Sequence, residues 1–257
     1  MAKGSYFIKH KKLIHGETIP TAAKMLLGEG VRKKFEDGMV LLIDKPLHWT
    51  SFDIVRKIRN SIGIKKVGHA GTLDPLASGL LVVCTGKFTK RINEFMAAEK
   101  EYSGSINLGA VTPTYDLEST PQQFKEYNHI SDDKIFDTTK LFTGDIMQVP
   151  PVYSAIKKNG IASYELARRG DNIKMEPRSV NIRSFEIKVI ELPVIHFKII
   201  CSTGTYIRSV ANDFGAALGC GGYLSSLRRT RIGDLLVEKA LTMPEFIEGL
   251  NQKPEEK

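Results

Sequence analysis

One short loop holds the side chains of this sequence that are best suited to chemistry. Residues 68–79 read G-H-A-G-T-L-D-P-L-A-S-G, between a helical pattern and a buried-strand pattern. Asp74 offers a single carboxylate for nucleophilic or general-base work, and Pro75 restricts the backbone beside it. Functional side chains concentrate in loops held by rigid elements. Loop chemistry alone also allows, and favours, a structural turn in which Asp74 accepts hydrogen bonds from local amides.

The elements around this loop must position Asp74. Hydrophobic periodicity predicts a helix from Ser51 to Ile62, with Phe52, Val55 and Ile58 on its apolar face. Strands interspersed with helices predict an α+β fold with a mixed, mainly antiparallel central sheet and flanking helices. Strands are predicted at 39–43, 80–85, 101–108, 154–158, 183–191 and 195–202, and further helices at 91–98, 131–142, 163–169, 206–218 and 243–250.

Composition excludes several classes of protein. The 257 residues are 42% hydrophobic and 26% charged, and no apolar run approaches the roughly 20 residues of a membrane span. The N-terminus lacks the apolar segment of a secretory signal. Cys84, Cys201 and Cys220 form no C-x-x-C pair, so we expect buried thiols in a cytoplasmic protein without a metal site or a disulfide framework.

The positive charge is concentrated at the N-terminus. Residues 1–34 carry a net charge of +6 out of the total of +8. Such an arm can bind nucleic-acid phosphates through counterion release, and a solvated tail is the equally weighted alternative. Further basic residues are candidates for RNA backbone contacts: Lys65, Lys66, Lys87, Lys90, Arg91, Arg228 and Arg229.

Six blocks, in order along the chain, resemble the TruB family of tRNA pseudouridine synthases. The loop at 68–79 resembles the family's G-H-x-G-x-L-D-P-x-A-x-G signature. The other blocks are V-L-L-I-D-K-P at 40–46, K-E-Y at 100–102, G-D-I-M-Q-V-P-P-V-Y-S-A-I-K at 144–157, S-T-G-T-Y-I-R at 202–208 and L-R-R at 227–229. One matching loop could be a coincidence, whereas six ordered blocks indicate common descent.

The resemblance implies an active site and a fold. In the family, the aspartate that corresponds to Asp74 is catalytic, which overrides the structural-turn interpretation. Arg208 is implied as its partner, and such pairing lowers the pKa of an aspartate by roughly 1–3 units. Tyr102 is implied to stack on the target base and to remove its carbon-5 proton. The implied fold is the pseudouridine synthase fold with a catalytic cleft.

Further residues are implied to bind the substrate or to support the site. Tyr206 would contact the flipped base or its sugar, Leu227 would form an apolar wall against the base, and His69 would fill the gap left in the RNA. Lys45 and Pro46 would support the catalytic loop. The reaction consumes no outside atom, so no cofactor and no metal are expected.

The family's usual substrate is the uridine at position 55 in the T-arm of tRNA, so we expect tRNA as the partner. We also expect the protein to be a monomer. The implied organisation is a basic extension at 1–38, a catalytic domain at 39–233, and a short helix and tail at 234–257 without a PUA domain. Alternatives are a non-catalytic RNA-binding or RNA-folding protein and a synthase that acts on another RNA, including a guide-RNA-dependent one. A glycosidase would need two carboxylates across a sugar bond, and the loop offers one.

Overall fold

The computed structural model of the protein describes residues 29–158 and 160–251. Most of the basic arm and the charged tail from residue 252 lie outside the described residues, and so does the hypothesis that the arm binds phosphates. Among the residues described, no helix is both long and apolar enough to cross a membrane.

The described part of the chain contains seven α-helices and eleven β-strands. The helices are α1 (Glu29–Asp37), α2 (Ser51–Ile62), α3 (Ile92–Ala97), α4 (Asp132–Lys140), α5 (Ser163–Arg168), α6 (Ile207–Leu218) and α7 (Met243–Asn251). The strands are β1 (Val40–Lys45), β2 (Val67–His69), β3 (Ala77–Thr85), β4 (Lys100–Leu108), β5 (Gly144–Gln148), β6 (Lys157–Lys158), β7 (Ile161–Ala162), β8 (Arg178–Glu191), β9 (Val194–Cys201), β10 (Gly222–Ile232) and β11 (Leu235–Leu236).

Nine of these strands form one sheet, whose main path runs β1-β3-β10-β4-β9-β8-β5. β2 pairs with β3, β11 pairs with β10, and β6 and β7 form a separate hairpin. Every pair in the sheet is antiparallel except β3 with β10, which is parallel. The predicted α+β class with a mainly antiparallel sheet and flanking helices is confirmed.

Helix α2 has the predicted bounds but a different apolar face. Thr50 caps it through a capping box with Asp53, and Gly63 ends it in the left-handed conformation at φ 66°. The buried side chains include Ile54 and Val55. Phe52 is 57% exposed, so its predicted place on the apolar face was wrong. The buried stripe follows positions 51, 54, 55, 58 and 62, a spacing that excludes position 52.

The predicted strands differ from the observed ones in several places. β10, near the middle of the sheet, was not predicted, because residues 225–230 are polar except for Leu227 and do not alternate like a half-buried strand. Their polar groups are satisfied inside the protein: the hydroxyl of Ser105 on β4 lies 2.8 Å from that of Ser225 and 2.7 Å from that of Ser226. The strand predicted at 154–158 is reduced to the two residues of β6.

Helix α6 lies unusually close to the sheet. A Cβ atom at Gly215 would lie 2.1 Å from the backbone nitrogen of Gly222 on β10, so only glycine permits this approach. Val210, Ala211 and Phe214 of α6 belong to the main hydrophobic core, together with residues of β4, β8, β9 and β10. This packing fixes the first turn of α6, where Arg208 lies, against the sheet.

Candidate active site

The loop that carries Asp74 is anchored on both sides. The buried hydroxyl of Ser51, the first residue of α2, accepts from the Leu73 amide at 2.8 Å and donates to the Leu73 carbonyl at 3.0 Å. The amide of His48 donates to the Pro75 carbonyl at 2.8 Å. The backbone on either side of Asp74 is therefore held by α2 and by the turn before it.

Arg208, in the first turn of α6, forms an ion pair with Asp74. Its Nε lies 2.9 Å from Asp74 Oδ2, and the arginine side chain is 5% exposed whereas that of Asp74 is 36% exposed. Nη1 and Nη2 donate to the carbonyls of Thr114 and Tyr153 at 3.2 and 3.1 Å. The two carbonyls thus hold the guanidinium in place, and the Asp74 carboxylate remains accessible from the cleft.

A second carboxylate, which the sequence analysis did not identify, shares the same cation. Asp116 Oδ2 lies 3.6 Å from Arg208 Nε, and the residue is 3% exposed. It comes from the polar segment 112–128, which has no helix or strand. The sequence offered no signal for it: Thr112 and Thr114, which precede it, are buried as well, but their burial is visible only in the fold.

The environment raises the pKa of Asp74 above its ordinary value. Burial is the largest cause, the negative charge of Asp116 adds to it, and the Arg208 guanidinium opposes both. The predicted ion pair is present and Arg208 lowers the pKa of Asp74 as expected, but burial outweighs this effect. The reason is that the arginine compensates two carboxylates in a desolvated cleft.

Tyr102 and Leu227 lie on adjacent strands beside this pair. Tyr102 on β4 and Leu227 on β10 are both buried members of the main core. Leu227 lines a cleft together with Asp74, Ala77, Asp116 and Leu224. Burial raises the pKa of Tyr102, and the negative charge of Asp74 adds a smaller increase. Asp74 and Leu227 therefore line one cleft, with Arg208 paired to Asp74 and Tyr102 close enough to interact with its charge.

Tyr206 precedes Arg208 and is held through its backbone. Its amide donates to Gln148 Oε1 at 2.8 Å, and its carbonyl accepts from Gln148 Nε2 at 3.1 Å. The guanidinium carbon of Arg178 lies 4.8 Å from the centre of the Tyr206 ring, a cation–π distance. Gln148 belongs to the motif at 144–157, and no role was predicted for it. Its two hydrogen bonds to the Tyr206 backbone fix the start of α6.

The remaining predicted residues lie around the loop. His69 ends β2, directly before the loop, and burial lowers its pKa. Lys45 is fully buried and donates from Nζ to the carbonyls of Pro46 and Trp49 at 2.9 and 2.6 Å. Burial lowers the pKa of Lys45 to about 8, opposed by the negative charge of Asp74.

Two of the basic residues predicted to contact the RNA backbone, Arg229 and Arg228, differ in their exposure. Arg229 is 1% exposed, so its proposed contact with the RNA backbone was wrong. Arg228 is partly exposed and forms a bidentate pair with Asp44 at 2.7 and 3.0 Å.

Within residues 29–158 and 160–251, no group of three or more His, Cys, Asp or Glu side chains could hold a metal ion.

Comparison with known proteins identifies the class. Residues 59–207 match the family model "TruB family pseudouridylate synthase (N terminal domain)", and residues 208–257 match "tRNA pseudouridylate synthase B C-terminal domain". The second match begins within α6, so it includes β10 of the central sheet as well as α7. These matches identify the chain as a pseudouridine synthase.

Curated relatives narrow the assignment. The chain is 50% identical over 225 residues to tRNA pseudouridine synthase B of Flavobacterium johnsoniae, with 85% of this chain and 98% of the relative covered. It is 48% identical over 219 residues to the enzyme of the same name from Chloroherpeton thalassium, with 83% and 91% covered. The chain belongs to the TruB family.

Solved structures share the fold. A chain of a Cbf5-Nop10-Gar1 complex matches with a TM-score of 0.67 and 30% identity, over 85% of this chain and 56% of that one. A chain of an H/ACA RNP bound to a substrate RNA containing 2′-deoxyuridine matches with a TM-score of 0.64 and 27% identity, over 92% and 61%. The present chain thus spans about three fifths of the length of these structural relatives.

Proposed function

We propose that the protein converts the uridine at position 55, in the T-arm of tRNA, to pseudouridine with Asp74 as the catalytic residue. The isomerase chemistry follows from membership of the family, whose close relatives are named tRNA pseudouridine synthase B. The observation that carries the proposed site is the Asp74–Arg208 pair, in which a fixed guanidinium holds a carboxylate that faces an open cleft.

The geometry supports a mechanism in which the uridine leaves its stack. A uridine inside folded RNA cannot reach Asp74, so it must be extruded at a cost of a few kcal/mol. Loop nucleotides are favourable targets because they are already partly unstacked. In the cleft, Leu227 would pack against the base, Tyr206 would contact the base or its sugar, and His69 would occupy the gap in the RNA.

Asp74 then acts on the nucleoside, either as the nucleophile at the sugar or as a base. The N-glycosidic bond breaks, the base rotates, and carbon 5 bonds to the sugar. Tyr102 is the candidate acceptor of the carbon-5 proton, and Lys45 and Pro46 support the catalytic loop from beneath. No step requires an outside atom, so we propose a reaction without metal or cofactor.

We also propose the cellular setting and the catalytic unit. The protein acts as a cytoplasmic monomer, with residues 39–233 as the catalytic domain. The lack of a membrane-crossing helix among the described residues is compatible with this location. Helix α1 would support the domain, because its Phe35 is buried in a core cluster with residues of β1 and α2.

The direct test uses an unmodified tRNA transcript. We expect incubation with the protein to produce pseudouridine at position 55, mapped by position along the transcript. Pseudouridine at other positions would contradict the T-arm assignment. Tight binding without pseudouridine formation would indicate an RNA-binding protein instead of an enzyme.

Replacement of Asp116 by Asn is expected to shift the pH dependence of the reaction. Asp74 must be ionised to act, so activity is present above its pKa and is lost as the pH falls through it. Removing the like charge of Asp116 lowers the pKa of Asp74. The acid limb of the single-turnover rate should therefore move to lower pH.

The control for this shift is Asp213→Asn, on α6, the helix that carries Arg208. Asp213 accepts from the neighbouring Asn212 at 3.0 Å, and no ion pair joins it to Arg208 among the described residues. The control should leave the acid limb in place. An unchanged limb in the Asp116 variant, or a shift to higher pH, would show that Asp116 does not set the charge state of Asp74.

A further inference from the structure

Arg229 occupies an unusual place for an arginine. It lies on β10, directly opposite Tyr102 on β4 and beside Gly79 on β3. Residues that face each other across antiparallel strands project to the same side of the sheet, so the Arg229 and Tyr102 side chains share a face. The Arg229 side chain is 1% exposed and is among the largest fully buried side chains of the described residues.

Its guanidinium joins two parts of the active site. Nε donates to the Leu80 carbonyl on β3 at 2.8 Å, and Nη2 donates to the Gly71 carbonyl in the catalytic loop at 3.1 Å. Because Tyr102 is its neighbour across the sheet, the positive charge also acts on the phenol. One side chain thus links the loop of Asp74 to the strand that follows it, with the tyrosine beside it.

The charge of Arg229 has no carboxylate partner in residues 29–158 and 160–251, where no Asp or Glu oxygen lies within 4.0 Å of it. A buried cation held by the carbonyls of Leu80 and Gly71 without a carboxylate is costly for the fold. A structural link between strands would not require that charge. The charge does, however, act on the phenol: burial raises the pKa of Tyr102, and Arg229 opposes this effect.

We propose that Arg229 is a positioning residue that holds the Tyr102 oxygen toward carbon 5 of the target base and stabilises it as the proton acceptor. This proposal rests on the proposed function. Once carbon 5 is bonded to the sugar, its C–H bond breaks and the proton passes to the Tyr102 phenolate oxygen. The electron pair restores the C5–C6 double bond, the C6–N1 π pair returns to N1, and N1 takes a proton from solvent.

The proposal is tested with two substrates that differ only at carbon 5. One is the unmodified tRNA transcript, and the other contains 5-fluorouridine in place of uridine. Fluorine cannot leave carbon 5 as a proton, so rearrangement of 5-fluorouridine stops after the new carbon–carbon bond has formed. A defect in proton removal slows only the uridine substrate, whereas a defect in the architecture of the site slows both.

We expect Arg229→Gln to slow uridine conversion about 100-fold, the lower end of what a general base contributes, with 5-fluorouridine rearrangement within about threefold of wild type. The rise of the uridine rate with pH should also lie at higher pH in this variant than in the wild type, because the phenol must ionise without the cation. Arg229→Lys retains the charge and should recover part of the rate.

The control is Arg231→Gln, two residues further along β10. Arg231 pairs with Glu99 at 2.9 Å and should leave both rates unchanged. Equal losses on both substrates, or no loss on uridine, would overturn the proposal. If Arg229→Gln does not fold, Tyr102→Phe replaces it in the test. This variant must slow uridine conversion without slowing 5-fluorouridine rearrangement, and equal losses on both substrates would overturn the proposal. A wild-type protein that forms no pseudouridine would instead refute the proposed function.

Discussion

Replacement of Asp74 by Asn is expected to lower the single-turnover rate of pseudouridine formation by at least about 10⁴-fold, as loss of a catalytic nucleophile does elsewhere. Asparagine has nearly the same shape but can act neither as a nucleophile nor as a base. Arg208 retains Asp116 at 3.6 Å, so the cleft should keep its structure. Binding of tRNA should therefore remain within a few-fold of wild type.

The measurement compares the rate and the tRNA affinity of the same preparation. Asp145→Asn is a suitable control, because Asp145 is exposed on β5 and its carboxylate accepts a hydrogen bond from Asn181 at 2.9 Å. That variant should match the wild type in both quantities. An Asp74→Asn protein that still forms pseudouridine would exclude Asp74 as the catalytic residue.

Replacement of Arg208 by Met is the second large effect, and it acts on stability as well as activity. It leaves Asp74 and Asp116 together in a desolvated site without their shared cation. Breaking a buried ion pair in this way typically costs about 3–5 kcal/mol in the free energy of unfolding. We expect a loss of that size at neutral pH, and no detectable pseudouridine formation.

The stability loss of this variant should depend on pH. Without the arginine, the Asp74 carboxylate is more easily protonated in the folded state than in the unfolded chain. The deficit is then largest above the pKa of Asp74 in the folded state and diminishes as the pH falls through it. Chemical denaturation at neutral and at mildly acidic pH measures this change, and Arg56→Met, which removes an exposed cation, is the control. A deficit that does not change with pH would contradict the argument.

Arg208→Lys separates charge from geometry. A single ammonium group cannot contact Asp74, Thr114 and Tyr153 at once as the guanidinium does. We expect this variant to fold and to bind tRNA, but to lose about 100-fold or more in rate, the typical effect of disturbing a preorganised charge partner. Near-normal turnover would mean that only the charge of Arg208 matters.

The sequence was most informative where local rules decide the structure. Helix α2 has its predicted bounds because Thr50 and Gly63 are strong terminal signals that act within a few residues. Asp74 and Arg208 were identified through motifs, and their ion pair follows from the fold. In contrast, β10 was missed because its stability depends on partners from β3 and β4 that no local pattern contains.

The roles of Asp116, Gln148 and Arg229 could not be predicted from local sequence patterns either. Each is a polar residue whose burial is compensated by a group distant in sequence: Asp116 by Arg208, Gln148 by the Tyr206 backbone, and Arg229 by the Gly71 and Leu80 carbonyls. Composition predicts such residues at the surface. The raised pKa of Asp74 has the same origin, since it depends first on burial in the fold and then on an acid 42 residues away.

The parallel pairing of β3 with β10 also determines when during synthesis the protein becomes active. Leu80 and Arg229, which this pairing brings together, are 149 residues apart. Until β10 emerges from the ribosome, β3 and β4 lack the strand that joins them, and their open edges are exposed to aggregation. Leu227 and Arg229 are then absent from the cleft as well. Nascent chains that end before residue 232 should therefore be unable to modify RNA.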